Sequence, residues 1–75
     1  MDEKLVDILG DIFDLEPEEI SGDLTHEDVP LWDSLNHLKL ITAIEQAYGI
    51  QFAMAEVQSI DSIAKLKAAV DAKQG

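Results

Sequence analysis

The chain has 75 residues, with 16 Asp and Glu against 5 lysines, no arginine and no cysteine, and a net charge of −11 at pH 7. That field repels phosphate backbones and anionic bilayers, which excludes nucleic-acid binding and stable membrane insertion and favours a basic protein partner. Without cysteine there are no disulfides, thiolate zinc sites or cysteine nucleophiles, while 47% hydrophobic residues set the chain apart from a disordered acidic tail.

The charge is unevenly placed. Residues 1–33 hold twelve acids and one lysine (Lys4), and residues 34–75 hold four acids and four lysines. The first 33 residues therefore carry the whole net charge. The length predicts one domain, 1–75, with a small core and modest stability. The acidic Met-Asp-Glu-Lys start lacks the basic and apolar regions of a signal peptide, and no apolar run approaches the ~20 residues of a membrane span. A cytoplasmic monomer is the expectation.

Leu5, Ile8, Leu9 and Ile12 recur at i, i+3, i+4, i+7, with Val6 and Phe13 widening the stripe. This predicts a first helix over about 3–15, with Asp2 as N-cap and Glu16-Pro17 as its stop. Residues 16–33 form a long connection. Pro17-Glu18-Glu19-Ile20 can make one helical turn with proline at its first position. Leu24, Val29, Leu31 and Trp32 are expected to pin the connection to the core. A connection this long in a small domain is often functional.

A second long helix starts after Asp33 or Ser34. With Ser34 taken as N-cap and 100° per residue, His37, Leu40, Ile41, Ile44, Ala47 and Tyr48 fall on one side, the core face. Leu35, Leu38, Lys39, Thr42, Glu45 and Gln46 fall on the other. Gly49 is a natural stop. Ile50-Gln51-Phe52 is too short for a useful strand. Met54 to Gln58 reads as a short third helix. Asp61 or Ser62 caps a fourth, with Ile63, Leu66 and Val70 inward and Lys65, Lys67 and Lys73 outward. The tail from about 73–75 is expected to fray. The fold class is all-α: a small four-helix bundle of three longer helices and one short third helix, with a long loop between helices 1 and 2.

Catalytic patterns are sparse. His26, His37 and four serines are present, but there is no nucleophile elbow, GxGxxG, P-loop or calcium-loop spacing. No intrinsic metal and no catalysis are expected. A hydrolase built on Ser34 and a histidine is a remote alternative.

One stretch is more specific. Leu31-Trp32-Asp33-Ser34-Leu35 puts a hydroxyl at a helix start, where free backbone N–H groups favour an anion. Taken alone, Asp33 and Ser34 are ordinary capping residues. The surrounding pattern adds an acidic first helix and a long loop before the motif, Tyr48-Gly49 at the end of its helix, and a short helix then an amphipathic one after it. From Leu5 to Val70 the chain resembles an acyl carrier protein, and it is more similar to specialised stand-alone carriers than to the primary fatty-acid one.

The resemblance implies that Ser34 bears a 4′-phosphopantetheine arm and that Asp33 belongs to the motif that presents it. A phosphopantetheinyl transferase would attach the arm from coenzyme A. The arm's thiol would carry acyl or aminoacyl thioesters, and the carrier itself would catalyse nothing. Partners implied are an acyl-loading ligase or transferase and condensing or tailoring enzymes of fatty-acid-like, polyketide-like or other specialised biosynthesis. The exposed face Leu35, Leu38, Lys39, Thr42, Glu45 and Gln46 coincides with the family's recognition helix. Phe52, Met54 and Val57 would lie near the arm and line its groove, with plain core as the alternative. His37 is expected to be partly buried and bonded to the loop, Trp32 to anchor that loop, and His26 to be solvated. Carriers of primary fatty-acid synthesis have a strongly acidic second helix and a glycine two residues before Asp-Ser. Here Glu45 is the helix's only acid and Leu31 stands at the glycine position. A stand-alone peptidyl or aminoacyl carrier, or an unmodified acidic helical binding module, are the alternatives.

Overall fold

The structure, a computed structural model, describes residues 3–74. The elements in chain order are α1 (Glu3–Phe13), a single 3-10 turn (Pro17–Glu19), α2 (Ser34–Tyr48), α3 (Met54–Ser59) and α4 (Ile63–Gln74). The all-α, four-helix expectation holds, with α3 one residue longer than predicted. Among the described residues the only extended pairing is one antiparallel bridge between Thr25 and Ser62. The predicted cap at Asp2 lies outside the described residues.

α1 ends two residues earlier than the sequence suggests. Asp14 takes a left-handed conformation, φ 56°, and breaks the helix before Pro17 can. Asp is among the few side chains that tolerate this region. The chain then folds back so closely that a Cβ on Gly10 would sit 3.1 Å from the Leu15 carbonyl. Leu5, Leu9 and Phe13 are buried, with Ile8 and Ile12 packed beside them, so the predicted stripe is the core face.

α2 stops where expected. Gly49 adopts φ 66°, and its N–H bonds the Glu45 carbonyl, a left-handed cap that glycine enters without a Cβ penalty. The N-cap is Asp33 rather than Ser34: its carboxylate accepts from the Asn36 N–H at 2.8 Å. Ser34 is the first helical residue. Leu40, Ile41 and Ile44 are buried and His37 and Tyr48 half-buried. Ala47, placed on the core face by rotation alone, is exposed. It lies at the stripe's edge in the last turn, where no neighbour covers it.

The long loop is anchored by Val29 and Trp32, both buried, and by half-buried Leu24. Leu31, expected to pin it too, is 44% exposed. Backbone bonds tie the loop to the start of α4: His26 N–H to Asp61 O and Ile63 N–H to Leu24 O, both 2.9 Å. Ser62 Oγ caps α4 by accepting from Lys65 N–H. Ile63, Leu66 and Val70 are buried as predicted.

Lys73 and Gln74 continue α4, and Lys73 Nζ pairs with Glu56 Oε1 at 2.8 Å. The pair links the last turn of α4 to α3. Glu56 also accepts from the Ala53 N–H at 2.9 Å. The Lys73 hydrogen bond first, then the Ala53 N–H, hold the Glu56 carboxyl below its usual value.

A depressed carboxylate contributes stability above its unfolded value and loses it as pH falls through the folded one. Lys73→Ala should therefore move the Glu56 titration upward, read by carboxyl NMR shifts. In the core, Leu40→Ala or Ile44→Ala should destabilise by about 2–4 kcal/mol in urea melts followed by circular dichroism. Leu35→Ala should change stability by less than about 0.5 kcal/mol; a large loss there would mean that Leu35 is packed.

Candidate functional site

The candidate site stands where the long loop enters α2. Asp33 caps the helix, and the next residue, Ser34, is exposed. Its Oγ makes no hydrogen bond among the described residues. The N–H groups of Ser34 and Leu35 have no helix carbonyl to bond. Asn36 Nδ2 donates to the Leu31 carbonyl at 2.7 Å and holds the loop against the helix start.

Beneath Ser34 is a polar bridge. Trp32 Nε1 donates to His37 Nδ1 at 2.9 Å. His37 Nε2 lies 2.8 Å from the Val57 carbonyl. An indole N–H can only donate, so Nδ1 must be the acceptor and Nε2 must carry the proton. The imidazole holds both bonds only in its neutral Nε2–H form. The Trp32 ring stacks on Phe13 at 5.0 Å between centroids and on His37 at 6.2 Å. One line of contacts thus joins α1, the loop, α2 and α3. His37 is half-buried and bonded to the loop, and Trp32 anchors that loop, both as the sequence suggested.

A groove of about 550 Å³ opens beside Ser34, lined by His26, Trp32, Asp33, His37, Gln58, Ile60 and Asp61. Phe52, Met54 and Val57 do not line it. Val57 is 9% exposed and belongs to the core, and its carbonyl rather than its side chain reaches the site. Phe52 is half-buried against the core. Met54 is 68% exposed, away from this groove. The lining residues His26, Gln58, Ile60 and Asp61 were not among the predicted site residues. The bridge between loop and α4 puts His26 and Asp61 together, and no local spacing announces such a pairing.

The outer face of α2 carries a second, mostly apolar groove of about 360 Å³, lined by Leu35, Leu38, Lys39, Thr42, Ala43 and Gln46. Leu35 and Leu38 are 64% and 55% exposed. Glu45 is the exception on the predicted face. It is half-buried, and its Oε2 accepts from the Phe52 N–H at 2.8 Å, which ties α2 to the segment after Gly49. Its carboxylate is spent on the fold.

The family described as Phosphopantetheine attachment site matches residues 3–70. The chain belongs to the acyl carrier protein family. A polyketide-8 synthase acyl carrier protein 2 from Streptomyces avermitilis is 36% identical over 62 residues, 81% of this chain and 70% of that protein. The solution structure of a holo acyl carrier protein from Geobacter metallireducens superposes with a TM-score of 0.83 at 33% identity, covering 93% of this chain and 80% of that one. The carrier therefore bears a 4′-phosphopantetheine arm. The site fits such a group: an exposed, unbonded hydroxyl, two free helix N–H groups for a phosphate, and a groove with polar and apolar walls. Among the described residues no cluster of three or more His, Asp or Glu side chains could hold a metal ion, and no helix is long and apolar enough to cross a membrane.

The bridge makes a measurable contribution. Trp32→Phe keeps the stacking and removes one hydrogen bond, and should cost about 0.5–1.5 kcal/mol in chemical denaturation. His37→Ala also leaves the Val57 carbonyl and the indole N–H unpaired and should cost more, about 1–3 kcal/mol beyond the lost packing.

Proposed function

We propose that Ser34 is the attachment serine and that the carrier shuttles thioester-bound acyl groups between the enzymes of a polyketide-type or other dedicated pathway. The observation that carries this reading is the free, exposed Ser34 hydroxyl at the first turn of α2 beside a groove. Two other serines are committed to structure: Ser59 Oγ donates to the Glu56 carbonyl, and Ser62 Oγ caps α4. In the attachment step Ser34 Oγ attacks the diphosphate of coenzyme A. The new O–P bond forms as the bond to the adenosine bisphosphate leaving group breaks. The hydroxyl proton passes to a base on the transferase, and a metal ion held there neutralises the phosphates. The attached group supplies the thiol that a chain without cysteine lacks. Asp33 holds the helix start so that Ser34 is presented outward.

The carrier is non-catalytic on this reading and works as a cytoplasmic monomer. Its partners are a phosphopantetheinyl transferase, a loading ligase or transferase, and condensing or tailoring enzymes. They read Leu35, Leu38, Lys39, Thr42 and Gln46 on α2. An exposed apolar pair centred on a small groove is the composition of an interface centre rather than of a solvated face. Lys39 has no ion pair among the described residues, whereas Lys65, Lys67 and Lys73 are each paired. The docking face is thus apolar with one free cation, unlike the acidic helix of primary fatty-acid carriers.

Incubation with coenzyme A and a broad-specificity transferase should add one phosphopantetheine by intact mass. Ser34→Ala should abolish the gain, and Ser21→Ala should keep it. A gain that survives Ser34→Ala would overturn the assignment. Leu35→Ala should slow the modification about fivefold or more, the effect of losing roughly 1 kcal/mol at an interface centre.

A further inference from the structure

We propose that Asn36 is a positioning residue for phosphopantetheine transfer: its side-chain amide clamps the loop at Leu31 and so fixes the backbone that presents the Ser34 hydroxyl. The inference rests on attachment at Ser34. Consecutive residues of α2 reach back to consecutive residues of the loop. Asn36 Nδ2 donates to the Leu31 carbonyl at 2.7 Å, and His37 Nδ1 accepts from Trp32 Nε1 at 2.9 Å. A carbonyl can only accept, so the amide nitrogen of Asn36 must be the atom that faces it. The backbone N–H of Asn36 makes another bond, to Asp33 Oδ1 at 2.8 Å. Ser34 lies inside both closures, held from its two sides by a residue that leaves its hydroxyl alone.

The backbone bond and the amide bond have separable tasks. The backbone bond caps α2 and survives a change of side chain at 36. The amide bond rescues no orphan, because the Leu31 carbonyl already accepts the Asp33 N–H at 2.9 Å, a γ-turn centred on Trp32. Nor does it hold the loop on the core, where Val29 and Trp32 are buried. At Leu31, which is exposed, a neutral bond of this kind adds little to stability. What it fixes is the direction of the peptide units between Leu31 and Ser34. Transfer needs that direction. Ser34 Oγ must reach the phosphorus that bears the pantetheine in line with the bond to adenosine bisphosphate. That bond breaks as the new O–P bond forms, and the hydroxyl proton passes to a base on the transferase. Docking through Leu35 and Leu38 does not use the clamp, so its loss should lower kcat rather than raise KM.

The test follows transfer from coenzyme A by a broad-specificity transferase on the full chain, with kcat and KM for the carrier read from intact mass over time. Asn36→Ala should lower kcat about tenfold or more and leave KM within about twofold. Leu35→Ala, at the docking face, should instead raise KM. Asn36→Asp keeps the shape but sets a carboxylate oxygen against the Leu31 carbonyl, so it should lose kcat as Asn36→Ala does. Its charge suits both the first helical turn and a basic partner, so a contact role would predict the opposite. Both variants at 36 should keep Tm within about 5 °C of the native value. The NMR order parameters of the Asp33 and Ser34 amides should fall in both. If Asn36→Ala does not fold, Asn36→Asp carries the test. A raised KM with kcat unchanged makes Asn36 a contact residue and overturns the inference. So does Asn36→Asp accepting the arm as fast as the native chain, or order parameters that do not move. Absence of any mass gain on the native chain, or a gain that survives Ser34→Ala, instead overturns attachment at Ser34, a failure separate from these.

Discussion

The His37 imidazole sits where four parts of the chain meet, and its two hydrogen bonds decide how the helix start is held. Trp32 can only donate and the Val57 carbonyl can only accept, so the ring between them must do one of each. A neutral imidazole does so from two nitrogens of one rigid ring. Stacked on Trp32, which stacks on Phe13, it converts a flexible loop end into a fixed platform. Ser34 stands on that platform one turn before His37. Its hydroxyl is placed by contacts that it does not itself make, which leaves Oγ free for chemistry.

The helical periodicity made most of the fold legible. Leu5-Leu9-Phe13, Leu40-Ile41-Ile44 and Ile63-Leu66-Val70 are all core faces, because a stripe at i, i+3, i+4, i+7 has few ways to be buried in a small bundle. The helix ends were less legible. Asp14 at positive φ stops α1 before the proline, a backbone choice that competes with many others in an acidic stretch. The cap of α2 is a contest between Asp33 and Ser34, two adjacent good caps, and only geometry decides it. Lys73 looks like a tail residue until α3 places Glu56 across from it.

The site divides in the same way. Asp33 and Ser34 are contiguous, so the motif could be read directly. The groove is not contiguous. His26 and Asp61 meet because the loop pairs with the start of α4, and Gln58 joins them because α3 ends there. Val57 takes the core alternative, which a helix of six residues, with too little periodicity to separate its inner face from its outer one, could not decide beforehand. Glu45 looked like part of the docking face because rotation alone cannot show that Phe52 returns to bond it.

The charge distribution then takes on a structural meaning. Every described acid before Ser34 is exposed, along α1 and the loop. Three of them, Glu19, Asp28 and Asp33, accept backbone hydrogen bonds in turns or caps, and none has an ion pair among the described residues, so most of the negative field is left unneutralised. The α2 face beyond Ser34 offers Leu35 and Leu38 with Lys39, and its one acid is turned to the fold. On the proposed reading, steering and contact are therefore carried by different elements. A field of this kind acts over about a Debye length, ~8 Å at physiological salt, and raises the rate of encounter with a basic partner. Apolar contact acts only after encounter and sets how long the partner stays. A carrier that must visit several enzymes in turn gains from that division. The acidic half can bring each one close, while a small apolar patch keeps none of them for long.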